Sequence, residues 1–382
     1  MILFLKSASS APSTGKFAPL RRGSRLHLVA LGVCACFLAL PLGCNGNEDM
    51  PDPTPVNSQV QTFGGAGSTF VAPLVNRWAE DYKKLHQVQV NYRPIGSGGG
   101  LSELRRGILN FAASDAPLGD DQLKGMPPIV QIPVTAGPVC VTYNLPSVNA
   151  PLRLSGKTLA AIFSGDVISW QDPAIASENP GVKLPHAAII VVHRSDGSGT
   201  TSIFTDYLSS VSPSWSAKVG HGISVNWPVG LGEDGSAKVI ATVKENHGTV
   251  GYAELSYAKQ AALPVASVQN KAGEYVVPSP ASASLAIDSF EDALAKDLRT
   301  PIVNPPASAK GAYPISGLTY VLITRDNSFE GQQRAFRDFI EYAITQGQGS
   351  AEEMYYARLP VPVQQESQAL LAQLTENGHP LQ

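Results

Sequence analysis

Residues 187–208 read AAIIVVHRSDGSGTTSIFTDYL, and this stretch passes from a strand through a glycine-rich turn into a helix. Residues 187–192 are continuously apolar, as in a strand that is buried on both faces. The turn at residues 196–201 is followed by apolar residues that share one helical face: Ile203, Phe204, Tyr207 and Leu208. Strand, glycine-rich turn and helix in this order indicate an α/β fold.

The same alternation recurs elsewhere from about residue 60 onward. Residues 88–92 alternate apolar and polar side chains and therefore predict a strand. Two further helical faces are predicted, one of Leu74, Val75, Trp78, Ala79 and Tyr82 and one of Leu101, Leu104, Ile108 and Leu109. With 382 residues, the chain is long enough for two domains.

Two more glycine-rich turns occupy the same position ahead of a predicted helix, at residues 65–70 (GAGSTF) and 96–100 (GSGGG). In each of the three turns a hydroxyl residue lies where the helix should begin. Such a residue can cap the helix, which is its ordinary structural role, or face a ligand. Helix N-termini carry free N–H groups and partial positive charge, so three of them favour an anion site. Arg194 adds a forked set of donors, whereas Asp115 taken alone is better explained as a loop cap.

Composition and charge exclude several functions. The net charge is −3, and the first 43 residues carry five basic and no acidic residues, which leaves −8 on residues 44–382. A chain this acidic is not expected to bind nucleic acid. The seven histidines have no metal-ligand spacing, and Ile95 replaces the glycine that a nucleophile elbow around Ser97 needs. We therefore expect no metal, no cofactor and no enzymatic activity.

The N-terminus resembles an export signal, with basic residues before an apolar run at residues 26–42. We predict a signal peptide at residues 1–43, with an uncleaved membrane anchor as the alternative. The sequence Leu-Pro-Leu-Gly-Cys at residues 40–44 resembles a lipoprotein box, which implies lipidation of Cys44; plain secretion is the alternative. Residues 44–58 then read as a flexible tether. Cys140 is the single cysteine beyond this region and is predicted to be buried.

Taken in order, the motifs of the mature chain resemble the phosphate-binding proteins of high-affinity phosphate ABC transporters, the PstS family. The matching segments are GAGSTF at residues 65–70, IGSGG at 95–99, FAASDAPL at 111–118, RSDGSGT at 194–200, WPVG at 227–230 and VGY at 250–252. The resemblance implies a two-lobed periplasmic-binding-protein fold of type II, with the ligand cleft between the lobes. It places the two crossings near residues 143–144 and 314–315. Lobe I would comprise residues 59–143 plus 315–382, and lobe II residues 144–314.

The resemblance also implies the ligand and the residues that hold it. The protein would capture inorganic phosphate and deliver it to the permease subunits, working in the cell envelope on the periplasmic or outer cell-surface side, anchored to the membrane by lipid. The matched positions are Ser68, Thr69, Phe70, Ser97, Asp115, Arg194, Asp196, Ser198, Gly199 and Thr200. Phe70 would contribute its backbone N–H, and Asp196 would hold Arg194 in place.

Asp115 fits an anion site only if the ligand carries a proton. An ionised carboxylate accepts hydrogen bonds and cannot donate them, so it can take the O–H of phosphate. Sulfate has no proton to give at neutral pH, and Asp115 would therefore reject it. The alternatives are a binder of another tetrahedral oxyanion, a secreted phosphatase, and a surface protein that keeps the fold without the site.

Overall fold

The computed structural model describes residues 61–327 and 332–381. The predicted signal peptide, Cys44 and the predicted tether lie outside the described residues. The strands are β1 (Thr62–Gly67), β2 (Gln89–Pro94), β3 (Phe111–Ser114), β4 (Ile129–Tyr143), β5 (Arg153–Leu154), β6 (Ile190–Arg194), β7 (Leu231–Glu233), β8 (Thr249–Glu254), β9 (Ser267–Gln269), β10 (Tyr275–Val276), β11 (Ser316–Thr324), β12 (Asp326–Asn327), β13 (Thr375–Glu376) and β14 (His379–Pro380).

Helices connect most of these strands, and one 3-10 turn occupies Gln346–Gln348. The helices are α1 (Ala72–His86), α2 (Ser97–Arg105), α3 (Asp120–Leu123), α4 (Gly156–Ser164), α5 (Pro173–Glu178), α6 (Gly199–Val211), α7 (Pro213–Lys218), α8 (Gly235–Glu245), α9 (Leu255–Gln260), α10 (Pro280–Asp288), α11 (Glu291–Leu294), α12 (Gln332–Ile344), α13 (Gly349–Glu353) and α14 (Val361–Leu371). Among the described residues, no helix combines the length and the apolarity needed to cross a bilayer.

An eight-stranded sheet in the order β2-β1-β3-β11-β4-β8-β6-β7 forms the centre of the fold. Parallel pairs lie at its two ends, β2-β1-β3 at one and β8-β6-β7 at the other. Antiparallel pairing through β11 and β4 joins these two groups. The expected α/β fold is confirmed, because each parallel group consists of strands followed by helices.

The long strand β4 connects the two parallel groups directly. Its first part, Ile129 to Pro138, pairs with β11, and its second part, Val139 to Tyr143, pairs with β8. All of its residues after Ile129 are buried, which explains why its sequence is almost entirely apolar. Cys140 lies in this strand and is fully buried, as predicted.

The predicted helical faces largely form the core. The apolar residues of α1 and α6 that were expected to share a face are buried, apart from the half-buried Ala79. The face predicted to continue to Ile108 is wrong, because α2 ends at Arg105 and Ile108 is 50% exposed. Gly107 ends this segment with a φ of +67°, a conformation that interrupts a helix and suits glycine.

The strand predicted at residues 187–192 also requires a correction. The observed strand β6 begins only at Ile190, which is 39% exposed. The register explains this exposure, since β8 covers β6 from Ile190 onward but β7 first pairs at Val192. Burial therefore holds for Val191 and Val192 and not for the four residues before them.

Candidate functional site

The turn between β1 and α1 brings Ser68 and Thr69 into the interior. The Ser68 backbone N–H donates to the Ala113 carbonyl over 2.8 Å, which fixes the turn beside β3. The Ser68 hydroxyl contacts both oxygens of the Asp115 carboxylate, at 2.6 and 2.7 Å. The Tyr92 hydroxyl donates to the Ser68 carbonyl over 2.8 Å. The first glycine-rich turn is therefore anchored on both sides.

Asp115 follows the carboxyl end of β3 and is only 4% exposed. Besides Ser68, the Thr319 hydroxyl of β11 donates to its Oδ1 over 2.8 Å. Burial raises the pKa of Asp115 to about 6, against the lowering effect of Ser68, Thr319 and the Arg194 charge. At pH 8 the side chain is thus an ionised acceptor in a buried polar setting.

Arg194 ends β6, and its guanidinium is the cation of the site. The Nε and Nη2 atoms donate to the two oxygens of Asp196 over 2.6 and 2.5 Å. Nη1 donates to the hydroxyls of Thr69 and Ser236 over 3.0 and 3.2 Å, and these two oxygens lie 2.9 Å apart. Although burial raises the pKa of Asp196, the hydrogen bond and charge of Arg194 hold it below its usual value. Asp196 thus fixes the plane of the guanidinium and leaves one edge directed at hydroxyl groups.

The second and third glycine-rich turns meet each other at the same place. The Ser97 hydroxyl accepts from the backbone N–H groups of Gly199 and Asp115, at 3.1 and 3.4 Å. A Cβ atom on Gly199 would lie 2.6 Å from the Ser97 hydroxyl, so this approach requires glycine. The Gly98 N–H also donates to the Gly197 carbonyl over 2.9 Å. Two turns that are far apart in sequence therefore form one backbone surface.

Ser198, Thr200 and Phe70 complete the predicted set. The Ser198 hydroxyl accepts from the Thr201 N–H over 3.1 Å and so caps α6, while its own hydrogen remains free to donate. Thr200 lies in the first turn of α6 and is buried. The Phe70 carbonyl accepts from the Tyr356 hydroxyl over 2.5 Å. The structure thus gathers all ten predicted residues around the turns that end β1, β3 and β6.

Sequence reasoning missed several residues that complete this site. Ser236 lies at the start of α8 in the sequence Asp-Gly-Ser, which repeats residues 196–198 and was a readable signal. The Tyr252 hydroxyl links the Arg194 N–H to the Thr201 hydroxyl. The Tyr257 hydroxyl donates to the Thr69 carbonyl over 3.2 Å. Tyr252 belongs to the VGY segment at residues 250–252 that carries the family resemblance, but the motif did not mark it as a site residue. Tyr257 stands in no such segment.

Together these groups form a buried polar site whose arrangement of donors suits one small anion. Helices α2, α6 and α8 begin at it, and each helix start supplies N–H groups and partial positive charge. Arg194 supplies a full positive charge, and Asp115 supplies an acceptor for a proton on the ligand. In the ranges 61–327 and 332–381, no cluster of three or more His, Cys, Asp or Glu side chains could hold a metal ion.

Comparison with known proteins gives consistent results. Residues 52–346 match the PBP superfamily domain. The chain is 38% identical over 342 residues to the phosphate-binding protein PstS of Xylella fastidiosa strain Temecula1, covering 86% of this chain and 93% of that protein. It is 40% identical over 315 residues to PstS of Pasteurella multocida strain Pm70, covering 82% and 91%.

Among solved structures, the chain resembles PfluDING, a high affinity periplasmic phosphate-binding protein bound with phosphate. The TM-score is 0.65 at 21% identity, and the alignment covers 81% of this chain and 93% of that one. At this identity the likeness concerns the fold. It confirms the expected two-lobed fold of the periplasmic-binding-protein type II class.

Proposed function

Because the chain belongs to the PstS family within the PBP superfamily, we propose that it binds inorganic phosphate in this site and delivers it to the permease of an ABC transporter. Members of this family are binding proteins of transporters, and the chain is not an enzyme. The permease subunits are accordingly its protein partners. The resemblance deduced from the sequence motifs is confirmed at the level of the family.

The observation that carries the proposal is the orientation of Arg194. Its guanidinium is almost completely buried, and Asp196 occupies one edge, so the other edge faces the hydroxyls of Thr69 and Ser236. A tetrahedral oxyanion that replaces these hydroxyls as the acceptor gains charge-assisted hydrogen bonds, each on the order of 1.5–3 kcal/mol. The hydroxyls are then free to donate to the anion as well.

We infer that the ten residues predicted from the sequence hold the phosphate, with Asp196 acting through Arg194. Ser236 joins them, because its hydroxyl already shares the Arg194 Nη1 hydrogen bond with Thr69. Asp115 accepts the phosphate O–H, and Ser68 and Thr319 orient its carboxylate for that contact. This assignment explains why one carboxylate lies in a site that is otherwise built of donors.

We also propose that the two groups of parallel strands move as lobes, with lobe I at residues 59–143 plus 315–382 and lobe II at residues 144–314. The antiparallel strands β4 and β11 connect these groups and supply the place where they hinge. The Arg194 hydrogen bond to Thr69 joins the two groups across the cleft. Phosphate would accept from both Arg194 and the Thr69 hydroxyl, and by bridging the two groups it would favour the closed arrangement.

The test is equilibrium dialysis of labelled phosphate against the purified protein and two arginine variants. Arg194→Ala should bind phosphate at least 100-fold more weakly than the parent. Arg93→Ala is the matched control, since the Arg93 side chain is half exposed and, among the described residues, forms its hydrogen bonds and ion pair with Glu103. Equal binding by the parent and Arg194→Ala would remove Arg194 from the site, and no binding by the parent would refute the proposed function.

We further propose that residues 1–43 are a signal peptide, that Cys44 carries lipid, and that residues 44–58 tether the protein to the membrane of the cell envelope. The support is the apolar run followed by Leu-Pro-Leu-Gly-Cys. Fatty-acid labelling in cells should be lost in Cys44→Ser and retained in Cys140→Ser, the buried control. Equal labelling of Cys44→Ser and the parent would contradict the anchor.

A further inference from the structure

Glu254, at the end of β8, is a buried acid that the proposed site does not use. The residue is 1% exposed, and neither oxygen of its carboxyl group has a hydrogen-bond partner among the described residues. An ionised carboxylate has room for about four accepted hydrogen bonds, and burying it without them is far more costly than burying a neutral acid. Burial without hydrogen-bond partners therefore favours the protonated, neutral form of Glu254.

Glu254 lies directly behind the anion site. The groups that act on it electrostatically come from several elements: Arg194 on β6, Asp115 after β3, Cys140 on β4, Tyr257 on α9 and Tyr356 after α13. The two tyrosine hydroxyls donate to the carbonyls of Thr69 and Phe70, the turn that the proposed ligand contacts. Glu254 thus lies close to Arg194, Asp115 and Ser236, which line the proposed phosphate site.

Arg194 is the one cation in this set, and each of its three side-chain nitrogens already donates to another residue. Nε and Nη2 contact Asp196, and Nη1 contacts Thr69 and Ser236. Burial raises the pKa of Glu254 well above its usual value, the Ser236 hydroxyl and Arg194 lower it in part, and the Asp115 charge raises it. Burial dominates because no ion pair and no hydrogen bond of good geometry compensates for it.

We propose that Glu254 is held as a neutral carboxylic acid behind the cluster of Arg194, Thr69 and Ser236, and that this neutrality leaves the Arg194 charge available to the anion in the cleft. The statement about the anion rests on the proposed function, whereas the neutral state of Glu254 does not. An ionised Glu254 would add a negative charge beside a site that must accept a phosphate anion. It would also draw Arg194 away from the ligand. The neutral state of Glu254 therefore preserves phosphate affinity without any contact between Glu254 and the ligand.

The first test is infrared spectroscopy of the phosphate-free protein at pH 8, which does not depend on ligand binding. The parent should show the carbonyl band of a protonated carboxylic acid, and Glu254→Gln should lack it. Asp115, with a pKa of about 6, is ionised at this pH and does not contribute. Asp206→Asn is the matched control, because burial also raises the pKa of that carboxyl and the band should survive its removal. A parent spectrum without the band would overturn the inference even if Glu254→Gln failed to fold.

The second test compares unfolding at pH 5 and pH 7. A carboxyl whose pKa is raised on folding keeps its proton in the native state but loses it in the unfolded state, so stability falls as the pH rises above about 4.3. The unfolding constant of the parent should rise nearly 100-fold more than that of Glu254→Gln over these two pH units. Parallel profiles would show that Glu254 is ionised in the folded protein.

Phosphate titrations at pH 7.5 test separately whether the neutral state of Glu254 preserves phosphate affinity. Glu254→Gln should bind phosphate within about threefold of the parent, because the amide replaces a group that is already neutral. A loss of tenfold or more would identify Glu254 as a charged member of the site and would contradict the proposal. If the parent bound no phosphate, the proposed function would fail, while the infrared result would still decide the state of Glu254.

Discussion

Asp115→Asn tests how the site distinguishes phosphate from sulfate. In the parent, sulfate finds no proton donor in the ionised Asp115 carboxylate and cannot provide one, so the two negative groups face each other. A site that requires a donor on its ligand rejects an analogue without one by about 10⁴–10⁵-fold. The asparagine amide can donate to sulfate. Asp115→Asn should therefore reduce the ratio of phosphate affinity to sulfate affinity by a large part of this factor.

The pKa of Asp115 gives this argument a second, quantitative consequence. With a pKa of about 6, the neutral form of Asp115 makes up nearly the whole population at pH 5 and about 1% at pH 8. Only the neutral acid can donate to sulfate, and an apparent affinity falls in proportion to the competent fraction. Sulfate should therefore bind the parent roughly 100-fold more tightly at pH 5 than at pH 8, whereas sulfate binding to Asp115→Asn should be independent of pH.

The assay is a competition titration of sulfate against labelled phosphate at both pH values, with the parent and Asp115→Asn side by side. Thr142→Val serves as a control, because the Thr142 hydroxyl is buried in β4 and bonds to the Pro264 carbonyl, away from the site. The reasoning is refuted if Asp115→Asn excludes sulfate as strongly as the parent does. It is also refuted if sulfate binding to the parent does not respond to pH.

Three further outcomes are expected. In Arg194→Ala, loss of the charge-assisted hydrogen bonds should cost about 3 kcal/mol or more of phosphate binding, roughly 150-fold, by calorimetry. Ser236→Ala should weaken phosphate binding by about tenfold, whereas Ser284→Ala on α10, whose hydroxyl bonds only within its helix among the described residues, should leave it unchanged. The free energy of unfolding of the phosphate-free parent should fall by about 2 kcal/mol relative to Asp115→Asn as the pH rises from about 4 to 6, because the raised pKa of Asp115 favours the protonated folded state at low pH. Equal denaturant midpoints across this range would contradict the buried state of Asp115.

The sequence was sufficient for the parts of the site that depend on local chemistry. Glycine-rich turns before helices place Ser68, Ser97 and Ser198 where strand ends and helix starts meet, and the structure brings these turns together. The Asp-Gly-Ser repeat at residues 234–236 carried the same signal for Ser236 and went unrecognised. Local motifs of this kind report helix starts reliably because the geometry of a helix start restricts which residues can occupy it.

Residues that reach the site from distant strands left no such signal. Thr319 lies in the buried strand β11 and contacts Asp115 across 204 positions of sequence, so only the sheet register brings them together. Glu254 is the last residue of the buried strand β8, and its environment depends on side chains from several elements. The exposed Ile190 shows the same limit, because its exposure depends on where β7 begins to pair.

Calorimetric titration of the purified protein, after exhaustive removal of bound phosphate, tests the central claim most directly. Phosphate and then sulfate would be added at pH 8, where Asp115 is ionised. The account predicts tight one-to-one binding of phosphate and no measurable heat from sulfate. Equal or stronger binding of sulfate, or no binding of phosphate, would contradict it.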